Sequence, residues 1–152
     1  MASLELKVPP PFVASLLAAA MWCVSPVASR SDRPWIAEIA AIVMVVLGTG
    51  FSAAGLHAFR RARTTINPLV PASASALVVS GVYRISRNPM YLGLTLVLLA
   101  WAAFLWSPWA FVGPFAFVPY MSRFQIAPEE RALAALFGSE YAAYKRRVRP
   151  WL

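Results

Sequence analysis

Charge is scarce in this chain. Asp, Glu, Lys and Arg make up 13% of its 152 residues, against 60% hydrophobic side chains. Soluble domains usually carry about 25% charged residues, so with a mean hydropathy of +0.63 lipid is the expected solvent. Cysteine occurs once, at Cys23. That excludes an intramolecular disulfide and a cysteine-based metal cluster, leaves an inert buried thiol as the expectation, and no metal is expected. Acidic residues number 6 against 14 Lys and Arg, for a net charge of +8. On so apolar a chain, excess base records orientation and contact with anionic headgroups. No basic stripe is interleaved with a soluble motif, so nucleic acid is not an expected partner. The length gives one compact unit, with no room for a soluble nucleotide-binding α/β domain beside membrane spans.

What is present is a series of long apolar runs. They predict an all-α integral membrane bundle of about four spans, near 12–28, 35–59, 89–106 and 109–125. The first run is entered through Pro9, Pro10 and Pro11. Small residues over 25–29 resemble a signal-peptide cleavage region, but the only basic flank, Lys7, is offset by Glu5, which favours a retained helix. The second run has one ionisable side chain, Glu38, before His57, and at about 1.5 Å per residue it crosses about 30 Å of hydrocarbon. Only Ser107 and Pro108 separate the last two runs, which predicts an antiparallel hairpin.

Base counting orients the bundle. Arg60, Arg61, Arg63, Arg84, Arg87, Arg123, Arg131, Lys145, Arg146, Arg147 and Arg149 fall on one face, Arg30 and Arg33 on the other. By the positive-inside rule this is a multi-pass protein with both termini cytoplasmic, as in a bacterial inner membrane. The polar cap, 60–88 and 127–152, is then cytoplasmic too. In the tail, Pro128 suits a first helical position and Glu129 and Glu130 suit the positive first turn. Leu133, Phe137, Tyr141, Tyr144 and Val148 recur at three- and four-residue spacing, which predicts an amphipathic helix.

Gly48-Thr49-Gly50 lacks the preceding strand of a dinucleotide fingerprint. Gly48, Ser52 and Gly55 instead put small residues where another helix can approach, in folding or in a homodimer. His57 reads as structural, with a base role as the alternative. The stretch 81–93 carries more chemistry. Asn88 fits an N-cap, Pro89 the first helical position, and Tyr91 an interfacial aromatic. Arg84 and Arg87 crowd a positive helix N-terminus, whose natural complement is a bound anion. Paired glutamates, paired arginines and the rings of Tyr83, Tyr91, Tyr141 and Tyr144 form the inventory for a zwitterionic, aromatic, cationic cofactor.

At these residues the chain resembles the integral-membrane isoprenylcysteine carboxyl methyltransferase and phospholipid (phosphatidylethanolamine) N-methyltransferase group. The match runs from about Thr64 to Leu152, carried by Thr65 with Asn67-Pro68, then Leu77-Val78, Gly81, Tyr83-Arg84, Arg87-Asn88-Pro89-Met90-Tyr91 and Gly93, and by Glu129-Glu130, Leu133, Phe137-Gly138, Tyr141, Tyr144, Arg149 and Trp151. The resemblance implies S-adenosylmethionine as methyl donor and S-adenosylhomocysteine as product. It implies a pocket made by Arg87, Asn88, Pro89 and Tyr91 on one side and Glu129 and Glu130 on the other, with Tyr83, Arg84, Tyr141 and Tyr144 as further cofactor contacts. Arg87, Asn88 and Glu129 are the expected catalytic residues. Charge suggests a glutamate for the cofactor's amino group or ribose, an arginine for its carboxylate, tyrosines beside adenine, and Arg84, Arg147 or Arg149 for an anionic acceptor.

Asn88 stands where many members of the group have histidine. Asparagine carries no proton at neutral pH. This tilts the expected acceptor toward a carboxylate, as in isoprenylcysteine, or a thiol, over an amine headgroup, with His57, a glutamate or water as remaining bases. The expected partners are a lipophilic small molecule or lipid and the surrounding membrane lipids. Two alternatives stand beside this reading: an NADPH-dependent membrane reductase similar to sterol reductases, and a non-catalytic helical membrane or transporter protein relying on Glu38.

Overall fold

The computed structural model of the chain describes residues 4–26, 32–64 and 69–152. Arg30, the end of the expected first span, and Thr65, Asn67 and Pro68 lie outside them. Among the described residues all regular structure is helical: α1 (Pro10–Val24), α2 (Trp35–Ala62), α3 (Pro89–Leu105), α4 (Val112–Met121) and α5 (Ala127–Arg147). Short 3-10 turns stand at Pro71–Ser73, Gly81–Arg84 and Pro108–Phe111.

Local chemistry sets the helix ends. α1 begins two residues before the expected span because prolines fit the first turn, where backbone N–H groups have no intrahelical partner. α2 runs past the expected boundary and takes Arg60 and Arg61 into its last turn, where cations complement the helix dipole. It stops at Arg63, in the left-handed region at φ 51°. Among the described residues α2 alone is long and apolar enough to cross a membrane; α1 and α3 are apolar but shorter, with 15 and 17 residues. The structure therefore supports one clear span rather than the expected four.

The fourth run departs most from expectation. A 3-10 turn, α4 with Pro119 inside it, and a π-helical turn over Ser122–Ile126 divide it, and this turn passes directly into α5. Pro128 has no N–H for the carbonyl of Phe124 four residues back. The Leu6 N–H donates to that carbonyl instead, at 3.1 Å, so the freed acceptor is satisfied by the N-terminal segment. Glu5 adds ion pairs to Arg123 and Arg131. The expected single amphipathic helix is also broken: Gly138 has φ 46° and ψ −118°, a conformation that favours glycine. Tyr141 and Tyr144 beyond it are buried, whereas Leu133, Phe137 and Val148 are half-buried.

The core lies between α1, α3 and α4, around Met21, Leu98, Ala102, Leu105, Phe117 and Met121. α2 packs mainly on α3. A Cβ on Gly48 would meet the Gly93 carbonyl oxygen at 2.7 Å, and one on Gly93 would meet Ser52 Oγ and the Gly48 carbonyl. The small-residue stripe is thus a helix-packing face within the chain. Beyond that contact α2 leaves Trp35, Ile36, Ile39 and Val43 exposed, an apolar surface suited to lipid. Cys23 is exposed on α1, not buried.

Candidate functional site

At one end of the bundle, the segment before α3, the start of α3, and α5 enclose a cleft. It holds about 810 Å³ of empty space, part of it open to solvent. The backbone brings the walls together through the C-terminal tail. The Arg87 N–H donates to the Arg149 carbonyl at 2.9 Å. Ser86 Oγ and Asn88 Nδ2 both donate to the Pro150 carbonyl, at 3.2 and 2.9 Å. Trp151 Nε1 donates to Ser122 Oγ at 3.1 Å. The tail thereby ties the loop before α3 to the π-helical turn.

Asn88 occupies the N-cap position and Pro89 follows at the first helical position, but the Asn88 side chain makes no capping bond. Its amide reaches Pro150 instead. The carbonyl has two lone pairs to share, so one acceptor binds both Ser86 and Asn88.

Arg87 carries the densest set of bonds. Its Nη1 donates to the carbonyls of Val148 at 2.7 Å and Lys145 at 3.1 Å, oxygens left over at the end of α5. Its Nη2 pairs with Glu130 Oε1 at 2.5 Å, and Lys145 Nζ pairs with Glu130 Oε2 at 2.6 Å. The expectation of an arginine pair waiting for an anion is therefore corrected. Arg87 already has a carboxylate partner, and Arg84 is exposed and absent from the cleft lining. The Arg87 Nε is buried without a hydrogen-bond partner.

Glu129 lines the same cleft. Its Oε1 accepts the Tyr91 hydroxyl at 2.5 Å and Gln125 Nε2 at 2.7 Å. Burial pushes its carboxyl up to about 7; the Gln125 and Tyr91 hydrogen bonds pull the other way, and the nearby Glu130 charge adds to the rise. Tyr83 sits edge-on to Phe59, with ring centroids 5.5 Å apart. Its carbonyl accepts the Tyr144 hydroxyl at 2.7 Å. Burial pushes the Tyr83 and Tyr141 phenols well above their ordinary range, and Tyr144 up to about 12. These rings are neutral near neutral pH, so they offer π-faces and hydroxyls without negative charge.

Of the residues nominated from sequence, Tyr83, Arg87, Asn88, Tyr91, Glu129, Glu130, Tyr141 and Tyr144 all line this cleft. Arg84 and Pro89 do not; Pro89 is buried toward the Gly55 face of α2. His57 is exposed on α2 outside the cleft, and Arg147 and Arg149 are exposed as well. Sequence reasoning missed Gln125, which bonds Glu129 beside the cleft, and Phe59 in its lining, and it named Leu77, Val78, Met90 and Leu133 only as carriers of the resemblance, without the wall they form here. Gln125 had a readable signal, four residues before Glu129 on a helix. Phe59 had none, because its approach to Tyr83 depends on how α2 packs.

The architecture defines a small helical protein with an apolar body and a terminal cleft of buried carboxylate and aromatic side chains. The phospholipid methyltransferase family matches over residues 36–140, most of the chain, with all but the first residue of α2 and all of α3. The chain belongs to that family, whose members are membrane-associated methyltransferases. It is also 48% identical over 63 residues, 41% of this chain and the whole of the relative, to an uncharacterized protein of Haemophilus influenzae. No solved structure matches.

Proposed function

We propose that this protein transfers a methyl group from S-adenosylmethionine to a lipophilic acceptor at the membrane interface, and that the cleft holds both. The observation that carries the reading is the meeting of Tyr91 with Glu129, from separate helices, in one aromatic cleft with Arg87. The donor set fits the cofactor. Glu129 suits its ammonium group or ribose hydroxyls, the orphaned Arg87 Nε–H suits its carboxylate, and Tyr83, Tyr141 and Tyr144 supply faces for adenine and a cation. When bound, S-adenosylmethionine supplies an electrophilic methyl on a sulfonium.

This chain's own groups position and desolvate. The apolar wall of Leu77, Val78, Met90 and Leu133 excludes water from the transfer, and proximity in such a site supplies much of the catalysis. Asn88 acts as a positioning residue through the Pro150 carbonyl. Arg87 positions Glu130 and the tail as well as offering its Nε–H.

We lean toward a cationic acceptor instead of an anionic one. The cleft arginine is already paired with Glu130, which leaves the cleft with no free guanidinium pair to hold an anionic acceptor. With the phospholipid methyltransferase match, an amine-bearing lipid headgroup is the acceptor we favour. Neither the reductase nor the transporter reading gains support, and Glu38 is paired with Arg33 at 2.8 Å.

We further infer a multi-pass arrangement in which α1, α3 and the α4 segment lie within the bilayer beside α2, with both termini and the cleft on the cytoplasmic side. The test of function is calorimetry of the purified protein with S-adenosylhomocysteine, followed by mass spectrometry of lipid extract incubated with isotopically labelled methyl donor. No binding by the wild-type protein in lipid removes the proposal.

A further inference from the structure

The segment before α1 and the segment after α5 converge on the π-helical turn. Ser122 opens that turn: its carbonyl accepts the Ala127 N–H five residues on, the bond that defines π winding. Its hydroxyl donates to the Val118 carbonyl at 2.8 Å. With its one proton so committed, the oxygen can only accept from Trp151. The Trp151 indole N–H, which can only donate, meets it at 3.1 Å.

The winding decides where Glu129 points. An α-helix turns about 100° per residue, and a π-turn holds one residue more than the α-turn it replaces. Rewound as α-helix, 122–126 would swing α5 by about 100° against α4 and carry Glu129 out of the cleft. Inside the turn Gln125 is buried, and its Nε2 donates to Glu129 Oε1 at 2.7 Å.

Three sets of contacts from outside hold the turn, and they are unequal. Glu5 reaches Arg123 at 3.1 Å and Arg131 at 2.5 Å, but both arginine side chains are more than half exposed, and such pairs contribute little. The Leu6 N–H takes the Phe124 carbonyl that Pro128 leaves free. Trp151 adds a hydrogen bond while its ring packs against the core around Phe117 and Met121, shielded from the water that weakens the Glu5 pairs.

Trp151 is also tied to the opposite wall. Next to it, Pro150 offers the carbonyl shared by Ser86 and Asn88, and Arg149 the carbonyl that takes the Arg87 N–H. Proline fixes its own φ, which makes a stiff link from Asn88 to Ser122. We propose that Trp151 is a positioning residue for the cofactor site: through Ser122 it keeps the π-turn in the register that places Glu129 in the cleft, and through Pro150 it holds that wall in step with Arg87 and Asn88. This rests on the methyltransferase reading and adds to it a residue outside the cleft lining.

The test uses the full chain in nanodiscs and calorimetry with S-adenosylhomocysteine. Trp151→Phe keeps a ring and loses the N–H, whereas Ser122→Ala loses the acceptor. Each should weaken binding about three- to tenfold, as expected for one hydrogen bond, and the double variant should be no weaker than either single one. Ser122→Thr retains the hydroxyl and should bind as the wild type does. Trp151→Phe added to Glu129→Ala should bring no further loss, because Glu129 is where its effect is felt. Trp109→Phe, exposed in the turn after α3, should change nothing. Hydrogen exchange at Ala127 should quicken in Trp151→Phe and Ser122→Ala, and not in Ser122→Thr.

A packing role alone would lower the unfolding midpoint of Trp151→Phe and leave its affinity untouched, and that result removes the positioning assignment while the methyltransferase reading stands. Losses that add in the double variant, that persist in Ser122→Thr, or that deepen on top of Glu129→Ala would each overturn the proposal as well. A wild type with no affinity for S-adenosylhomocysteine removes the methyltransferase reading and this role with it, even where exchange at Ala127 responds.

Discussion

The Tyr91 hydroxyl donates to Glu129 Oε1 at 2.5 Å, joining side chains 38 residues apart across the cleft. Gln125 donates to the same oxygen from the π-helical turn. One carboxylate oxygen thus fixes the start of α3 to the start of α5. Glu129→Ala should weaken S-adenosylhomocysteine binding by about tenfold or more, the value of one charge-assisted bond. Tyr91→Phe should weaken it less, since it retains the ring and the carboxylate. Calorimetry in detergent checks both.

The same carboxyl makes stability and binding respond to pH with opposite signs. Glu129 titrates at about 7 in the folded chain against an ordinary 4.5. Between those values the folded state keeps a proton that the unfolded state has released. The stabilising contribution is complete below about 4.5 and is lost as pH rises through about 7, a change on the order of 3 kcal/mol. Affinity for a cationic amino group should rise over the same interval as the carboxylate forms. Thermal unfolding in detergent from pH 4.5 to 8 should show the fall, and Glu129→Gln should flatten it.

Arg87 joins Glu130 to the carbonyls of Lys145 and Val148. Arg87→Ala leaves a half-buried carboxylate and two carbonyls short of a partner, a loss of about 3 kcal/mol. Arg87→Lys should recover little, because an ammonium cannot reproduce the planar fork. Hydrogen exchange should report the release as faster exchange over 148–152 in both variants.

The α2–α3 contact supplies a matched pair of substitutions. Gly93→Ala drives a methyl into Ser52 Oγ and the Gly48 carbonyl, and backbone does not yield cheaply, so about 1–3 kcal/mol of stability should be lost. Gly50→Ala meets nothing within 4 Å and should be neutral or stabilising by up to about 1 kcal/mol through helix propensity. Unfolding midpoints of the two variants in one detergent decide the comparison.

Much of the molecule was legible in one dimension. Apolar runs, prolines at first turns and basic residues at last turns are local signals, and they marked α1, α2 and α3 to within a few residues. The residues that meet in the cleft were also legible as types, because a buried carboxylate and an interfacial tyrosine stand out in a chain with so little polar side chain. Partnership was not legible. Arg84 and Arg87 sit three apart and look equivalent, yet one is exposed and the other lies under the returning tail.

Sequence alone determined the helical class, the apolar body, and which residues had chemistry to offer, since periodicity and composition act through neighbours along the chain. Tertiary structure decided which arginine was already neutralised, that Asn88 binds Pro150 instead of capping α3, and that Pro128 frees a carbonyl for Leu6. Each of those depends on a donor meeting an acceptor from a distant segment, and only the packed chain brings them within hydrogen-bonding distance.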